Sequence, residues 1–237
     1  MTLSYSRFRA AEQIAMVAPE QIVPGMALPS ASTGNARIYR KFFKRALDVT
    51  AIVLAAPIVV PLVAALAFAV SRDGGSAFYS QQRVGRHGRA FRMWKLRSMV
   101  SDADARMGDY LAANPAARAE WDETQKLKND PRITRFGRFL RQTSLDELPQ
   151  LWNVFLGDMS LVGPRPMMLN QQALYPGTAY YALQPGITGY WQTAGRNRTS
   201  FEARAGYDAA YEADVSLATD LQILYRTVGV VVKATGC

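Results

Sequence analysis

One block dominates the hydrophobic pattern: residues 49–70 contain no charged side chain. As a helix, that run reaches roughly 33 Å at about 1.5 Å per residue, long enough for a hydrocarbon core of about 30 Å. Basic residues flank it on both sides. Arg37, Arg40, Lys41, Lys44 and Arg45 interleave with Ile38, Tyr39, Phe42, Phe43 and Leu47 before it, and Arg72, Arg83, Arg86, Arg89, Arg92, Lys95 and Arg97 follow it. Mixed basic and aromatic residues suit a membrane surface, and Lys and Arg beside a membrane segment favour the cytoplasmic side. Both ends of the run therefore prefer one side. Pro57 and Pro61 lie inside it, where proline removes a backbone donor and bends a helix. A helix that enters the bilayer, breaks near Pro57 and leaves by the same face meets both constraints. A full crossing and a buried core helix are the alternatives. A cleaved signal peptide fits poorly, because the run is long and starts far from Met1; only the small residues Ala67 and Ala69 favour cleavage.

Elsewhere the periodicities are shorter. Residues 1–36 mix small, polar and proline residues, with Pro19, Pro24 and Pro29 interrupting any helix, and are expected to form a poorly ordered tail. Residues 37–72 then hold the basic stretch and the membrane helix, and residues 73–237 a separate domain. Two β-like runs around Gly85-Arg86-His87-Gly88 predict a hairpin. In its second strand Arg92, Trp94 and Leu96 share one face, and Phe91, Met93, Lys95 and Arg97 the other. The turn resembles the glycine-framed loop of a KH module, but that loop joins helices and strands are expected here; His87 reads as a turn residue. Residues 101–128 predict two helices divided at Asn114-Pro115. Thr199 and Glu202, at capping-box spacing, open a helix to about Ala213. Residues 217–232 predict a last apolar helix, whose Asp220 and Arg226 suit an interfacial or packed position. The fold class read from this order is α+β, mainly helical, with a small β-hairpin.

Composition narrows the chemistry. Lys and Arg total 28 against 19 Asp and Glu, a net charge of +9, which points to an anionic partner: nucleic acid, phospholipid or a phosphate-bearing substrate. With one cysteine, Cys237, and one histidine, His87, a Cys/His zinc site is excluded and a Ser-His-Asp triad would rest on His87 alone.

The stretch richest in candidate chemistry is Ser144-Leu145-Asp146-Glu147-Leu148-Pro149-Gln150-Leu151-Trp152-Asn153. Two readings fit it. Ser144 and Glu147 have capping-box spacing, and Pro149 suits a first turn that starts at Asp146 instead; on that reading the acidic residues only offset a helix dipole. On the other reading, free backbone donors at a helix start attract phosphate and lower a carboxylate's pKa. An ionised Asp146 is then a nucleophile toward phosphorus, and the Asp146-Glu147 pair could hold Mg²⁺ together with substrate phosphates. Downstream, Gly157-Asp158-Met159-Ser160-Leu161-Val162-Gly163-Pro164-Arg165-Pro166 sets Arg165 between two prolines. These restrict its backbone, and a guanidinium suits bidentate phosphate recognition.

With these motifs the chain resembles the monotopic phosphoglycosyl transferases, or polyprenyl-phosphate hexose-1-phosphate transferases, in particular the short exopolysaccharide-initiating members. The residues that carry the resemblance run in order over roughly 40–232. They are Lys44-Arg45-Ala46-Leu47-Asp48, Arg83-Val84-Gly85, Lys95-Leu96-Arg97-Ser98-Met99, the two stretches above, and Pro185-Gly186-Ile187-Thr188-Gly189 through Trp191-Gln192 to Gly195-Arg196. The resemblance implies a re-entrant membrane helix and a cytosolic catalytic domain on the bacterial inner membrane. It implies transfer of hexose-1-phosphate, galactose or glucose, from a UDP-sugar to undecaprenyl (polyprenyl) phosphate with release of UMP. Asp146 would be the nucleophile, Glu147 its helper through Mg²⁺ or proton handling, and both would be the metal ligands. Arg165, Lys95, Arg97 and Arg196 would contact phosphates or nucleotide. The chain departs from the pattern at Ala56-Pro57, where the family often has Ser-Pro; a hydroxyl that could satisfy freed backbone groups is missing.

Two other classes compete. A membrane-surface scaffold without chemistry is argued against by the intact Asp146-Glu147 pair. Nucleic-acid binding rests on net charge alone and requires salt-sensitive affinity; no nucleic-acid partner is expected.

Overall fold

The structure, a computed structural model, describes residues 38–124, 127–194 and 200–232. The expected N-terminal tail lies outside the described residues, as do Arg196 and Thr199. A π-helical turn, Tyr39–Phe43, leads into helix α1, Lys44–Ser71. Together they form the one helix among the described residues that is long and apolar enough to cross a membrane. Val53, Leu54, Ile58, Val60 and Phe68 on it are exposed. The helix carries no interruption where the break was expected: α1 continues through Pro57 and Pro61, and a re-entrant path would be a bend within it. Each proline deletes only one helical hydrogen bond, leaving the carbonyls of Val53 and Pro57 without their usual partners. The rest of the helical ladder is kept on both sides, so the helix persists.

The chain divides into two compact units. Among the described residues, the first comprises residues 38–57, Ser80–Trp94, 150–194 and 200–232. It contains most of the expected hairpin, whose strands are β1, Phe78–Val84, and β2, Ala90–Leu96. A 3₁₀ turn, Arg86–Gly88, joins them, with left-handed backbone at His87 (φ 59°) and Gly88 (φ 76°). Phe91 and Met93 of β2 bury against Met159 and against Val154 of a helix we number α5, Gln150–Leu156. Buried Asn153 of α5 completes that contact. Its carboxamide accepts from the Trp94 N–H at 3.0 Å and donates to the Arg92 carbonyl at 2.6 Å, as a neighbouring strand would. Arg45 donates to the Val154 and Phe155 carbonyls, capping the C-terminal end of α5.

A parallel strand pair, unforeseen from the pattern, follows: β3, Ser160–Val162, and β4, Gly186–Thr188, with Ser160 opposite Gly186 and Val162 opposite Thr188. Three residues per strand are too few to show a period of two. Helices α6, Ala179–Ala182, α7, Tyr190–Ala194, α8, Arg204–Asp214, and α9, Leu217–Val232, complete the unit. The helix expected to open at Thr199 starts at Arg204, after a turn at residues 201–203. The last helix has its expected bounds and is packed on one face: Ile223 is fully buried, while Leu217, Leu221, Tyr225 and Val228 are exposed. A polar cluster ties it to the start of α1. Asp220 accepts from Lys44 at 2.6 Å, Tyr39 at 2.7 Å and Tyr211 at 2.6 Å.

The second unit comprises Ile58–Tyr79 and Lys95–Pro149 among the described residues. The two helices expected between 101 and 128 are α2, Ala103–Ala113, and α3, Pro115–Thr124. Asn114 accepts from the Ala117 N–H at 3.1 Å, so Asn114-Pro115 acts as a cap followed by a first-turn proline. Helix α4, Arg135–Gln142, was not expected; Thr134 caps it by accepting from the Gly137 N–H at 2.8 Å. Its core contact is Leu140 with Val70 and Leu96, flanked by Leu66, Phe136 and Leu145. A Cβ on Gly137 would lie 1.9 Å from the Ser98 carbonyl oxygen, so only glycine allows α4 to approach the chain there.

Candidate active site

Asp146 and Glu147 stand on a 3₁₀ turn, Leu145–Glu147, between α4 and α5. Neither helix-start reading holds. The Ser144 side chain makes no capping hydrogen bond, and the next α-helix begins only at Gln150. Ser144 instead closes α4. It adopts left-handed backbone (φ 58°), and its N–H donates to the Arg141 carbonyl at 3.2 Å, the closing bond of a left-handed helix C-cap. The Glu147 N–H then returns to the Ser144 carbonyl at 3.2 Å. A non-glycine residue in this conformation is uncommon and costs free energy. Here it reverses the chain sharply enough to set Asp146 into the unit's interior.

Burial decides the electrostatics. The Asp146 side chain is 10% exposed, and its carboxyl is pushed above the usual range by burial, with Glu147 adding to the rise. The ammonium of Lys95 and the guanidinium of Arg141 oppose it. This reverses the expectation that a helix start would lower the Asp146 pKa. Lys95, at the end of β2, donates to Glu147 at 2.7 Å and lies 3.9 Å from an Asp146 oxygen. Lys95 is thus the cation that offsets the charge of two neighbouring carboxylates. Arg141, not anticipated from the pattern, donates to Ser98 Oγ at 2.8 Å.

Arg97 points elsewhere. Its guanidinium pairs with both oxygens of Asp73, at 2.8 and 2.5 Å, and donates to the carbonyls of Ser76, Met99 and Val70. It holds the C-terminal end of α1 and the loop after it, and within this unit it does not join Lys95, Asp146 and Glu147.

In the first unit, Arg165 is exposed while Pro164 and Pro166 on either side are buried. Glycines make that loop possible. Cβ atoms on Gly163, Gly186 and Gly189 would lie 2.1–2.2 Å from neighbouring backbone atoms. The Gly163 N–H donates to Thr188 and the Gly186 N–H to Pro164, both at 2.8 Å. The Gly-Pro-Arg-Pro and Pro-Gly-Ile-Thr-Gly motifs are therefore two halves of one backbone contact. Arg165 lies over the Trp191 ring at 5.8 Å. Arg196 is outside the described residues.

Asp146 and Glu147 offer carboxylate oxygens on adjacent residues, a donor set that fits Mg²⁺ when substrate phosphates complete the shell. No cluster of three or more His, Cys, Asp or Glu able to hold a metal occurs among the described residues. The pair fits a metal shared with substrate better than a closed protein cage.

The profile of the bacterial sugar transferases matches residues 39–234. The chain belongs to that family. Among curated relatives of this sugar transferase, the UDP-galactose-lipid carrier transferase of Erwinia amylovora is 48% identical over 86% of the chain and 43% of its own length. The undecaprenyl-phosphate galactose phosphotransferase of Salmonella typhimurium is 47% identical over 83% of the chain and 42% of its own length. The chain thus spans less than half of those two proteins. The exopolysaccharide production protein ExoY of Rhizobium meliloti is 40% identical over 86% of the chain and 92% of its own length.

Proposed function

We propose that this sugar transferase moves a hexose-1-phosphate, galactose first and glucose second, from a UDP-sugar to undecaprenyl phosphate. Galactose is preferred because it stands in the names of two relatives near 48% identity. The observation that carries the reading is a buried nucleophile candidate, Asp146, beside Glu147 and within 3.9 Å of the Lys95 ammonium. An Asp146 oxygen attacks the phosphorus that bears the sugar. The bond from that phosphorus to the bridging oxygen breaks, and the electron pair leaves with UMP. A phosphate oxygen of the polyprenyl carrier then attacks the aspartyl phosphorus, freeing the carboxylate and forming a diphosphate-linked sugar. Lys95 lowers the cost of holding negative charge at Asp146 during both displacements, and Glu147 orients or shares that ammonium. Bound Mg²⁺ would screen the repulsion between carboxylate and diphosphate. Arg165 contacts a substrate phosphate.

The apolar helix and its basic flanks support residence in the inner membrane, with both helix ends and the site on the cytoplasmic side. Carbonyls freed at Val53 and Pro57 mark where a re-entrant path would bend.

The test is UMP release from UDP-galactose by the purified protein with polyprenyl phosphate and Mg²⁺. Asp146→Asn should abolish release and any covalent phosphosugar on the protein, while leaving the protein in the membrane fraction. No release from any common UDP-hexose favours a non-catalytic scaffold, and near-normal turnover by Asp146→Asn removes the nucleophile assignment.

A further inference from the structure

Among the described residues, two guanidiniums lie over the ring of Trp191. Arg165 lies over its ring at 5.8 Å and Arg204 at 5.1 Å. The two arginines differ in every other respect. Arg165 is exposed, whereas Arg204 is buried, at 7% exposure, and sits over Phe201 as well, at 4.9 Å. Arg204 donates to the main-chain carbonyl of Arg165 at 2.6 Å. Asp208, one turn along α8, is buried and accepts from Tyr175 at 2.8 Å. No carboxylate lies within ion-pair distance of Arg204 among the described residues, so its charge is held by ring faces, one carbonyl and the more distant Asp208. A buried charge without a close partner is costly, and its direct contact with Arg165 suggests what it does.

We propose that Arg204 is a positioning residue for Arg165. Its hydrogen bond fixes the Arg165 carbonyl, and its stack orients the Trp191 ring against which the Arg165 guanidinium rests. Cation–π stacking and the flanking prolines then leave that guanidinium few directions, pre-organised toward a substrate phosphate. The proposal rests on the reading of Arg165 as a phosphate contact.

Arg204→Met keeps the buried volume while removing the hydrogen bond and the charge, and Arg204→Lys keeps the charge. Titrating each full-length variant with UDP by calorimetry, and measuring KM and kcat for UDP-galactose beside the melting temperature, tests the idea. Arg165→Ala should weaken UDP binding and raise KM about tenfold, the loss of one charge-assisted contact. Arg204→Met should raise KM about fivefold with kcat within twofold of the parent, and Arg204→Lys should recover part of the rise. In an Arg165→Ala background, Arg204→Met should add nothing further to KM or to the UDP affinity. Equal KM effects in both backgrounds, or a drop in kcat and melting temperature at unchanged KM, overturn the proposal and make Arg204 purely structural. An unchanged KM in Arg165→Ala itself overturns the underlying reading, and the positioning role with it.

Discussion

The Lys95 ammonium lies 2.7 Å from the Glu147 carboxylate and 3.9 Å from that of Asp146. One cation from a strand end therefore serves two adjacent carboxylates on a 3₁₀ turn. Replacing it with an isosteric apolar residue leaves buried Asp146 beside Glu147 without the ammonium, while Arg141 still opposes the repulsion. Lys95→Met should lower kcat for UMP release by about tenfold to a hundredfold, while the protein stays folded by circular dichroism. A turnover within twofold of the parent would remove Lys95 from the site.

The buried contact between Lys44 and Asp220 predicts a stability effect. Both side chains are nearly inaccessible, at 9% and 0% exposure. Asp220→Ala strands the Lys44 charge and removes the acceptor shared by Tyr39 and Tyr211. A loss of about 3–5 kcal/mol in denaturant unfolding is expected. Lys44→Met in the same background should recover part of it, because the stranded charge is then gone.

Asp208 predicts a pH effect. Burial pushes its carboxyl up to about 6, against the opposing pull of Arg204 and the Tyr175 hydroxyl. The folded state then holds a proton that the unfolded chain releases near pH 4. Its contribution is present below the unfolded pKa and is lost as pH rises through about 6. Between those values the stability of the parent should fall relative to Asp208→Asn. Parallel unfolding curves for the two proteins across that window would show that Asp208 does not titrate there.

For the apolar helix α1, single cysteines before residue 45 and after residue 75, with Cys237 replaced, should label from the same side of sealed vesicles. Labelling from opposite sides would establish a full crossing.

The family was legible because its motifs are local. Each is a string of residues whose chemistry and turn requirements are written contiguously, and the long uncharged run and the hairpin glycines carry their own periodicity. At Pro57 a proline inside an apolar run reads equally as a break or as a bend, and the missing donor leaves the helix continuous there. The role of Ser144 was misread. A serine at capping-box spacing signals an N-cap, and nothing local signals the left-handed position usually held by glycine; only the path of α4 into the turn shows it.

The sequence by itself determined the elements built on short-range rules: the apolar helix, the hairpin at Gly85-Arg86-His87-Gly88, the pair divided at Asn114-Pro115 and the final helix. It also presented Asp146, Glu147, Lys95 and Arg165 as candidates. Tertiary structure alone decided which charges meet. Lys95 reaches across about fifty positions of chain to Glu147, Arg97 turns to Asp73, and Arg204 settles under Arg165 and Trp191. Such pairings depend on burial and on the approach of distant backbone, as at Gly137 against Ser98. Asp146 shows the consequence most directly: its position was readable from the motif, but the sign of its pKa shift was set by how deeply the fold buries it.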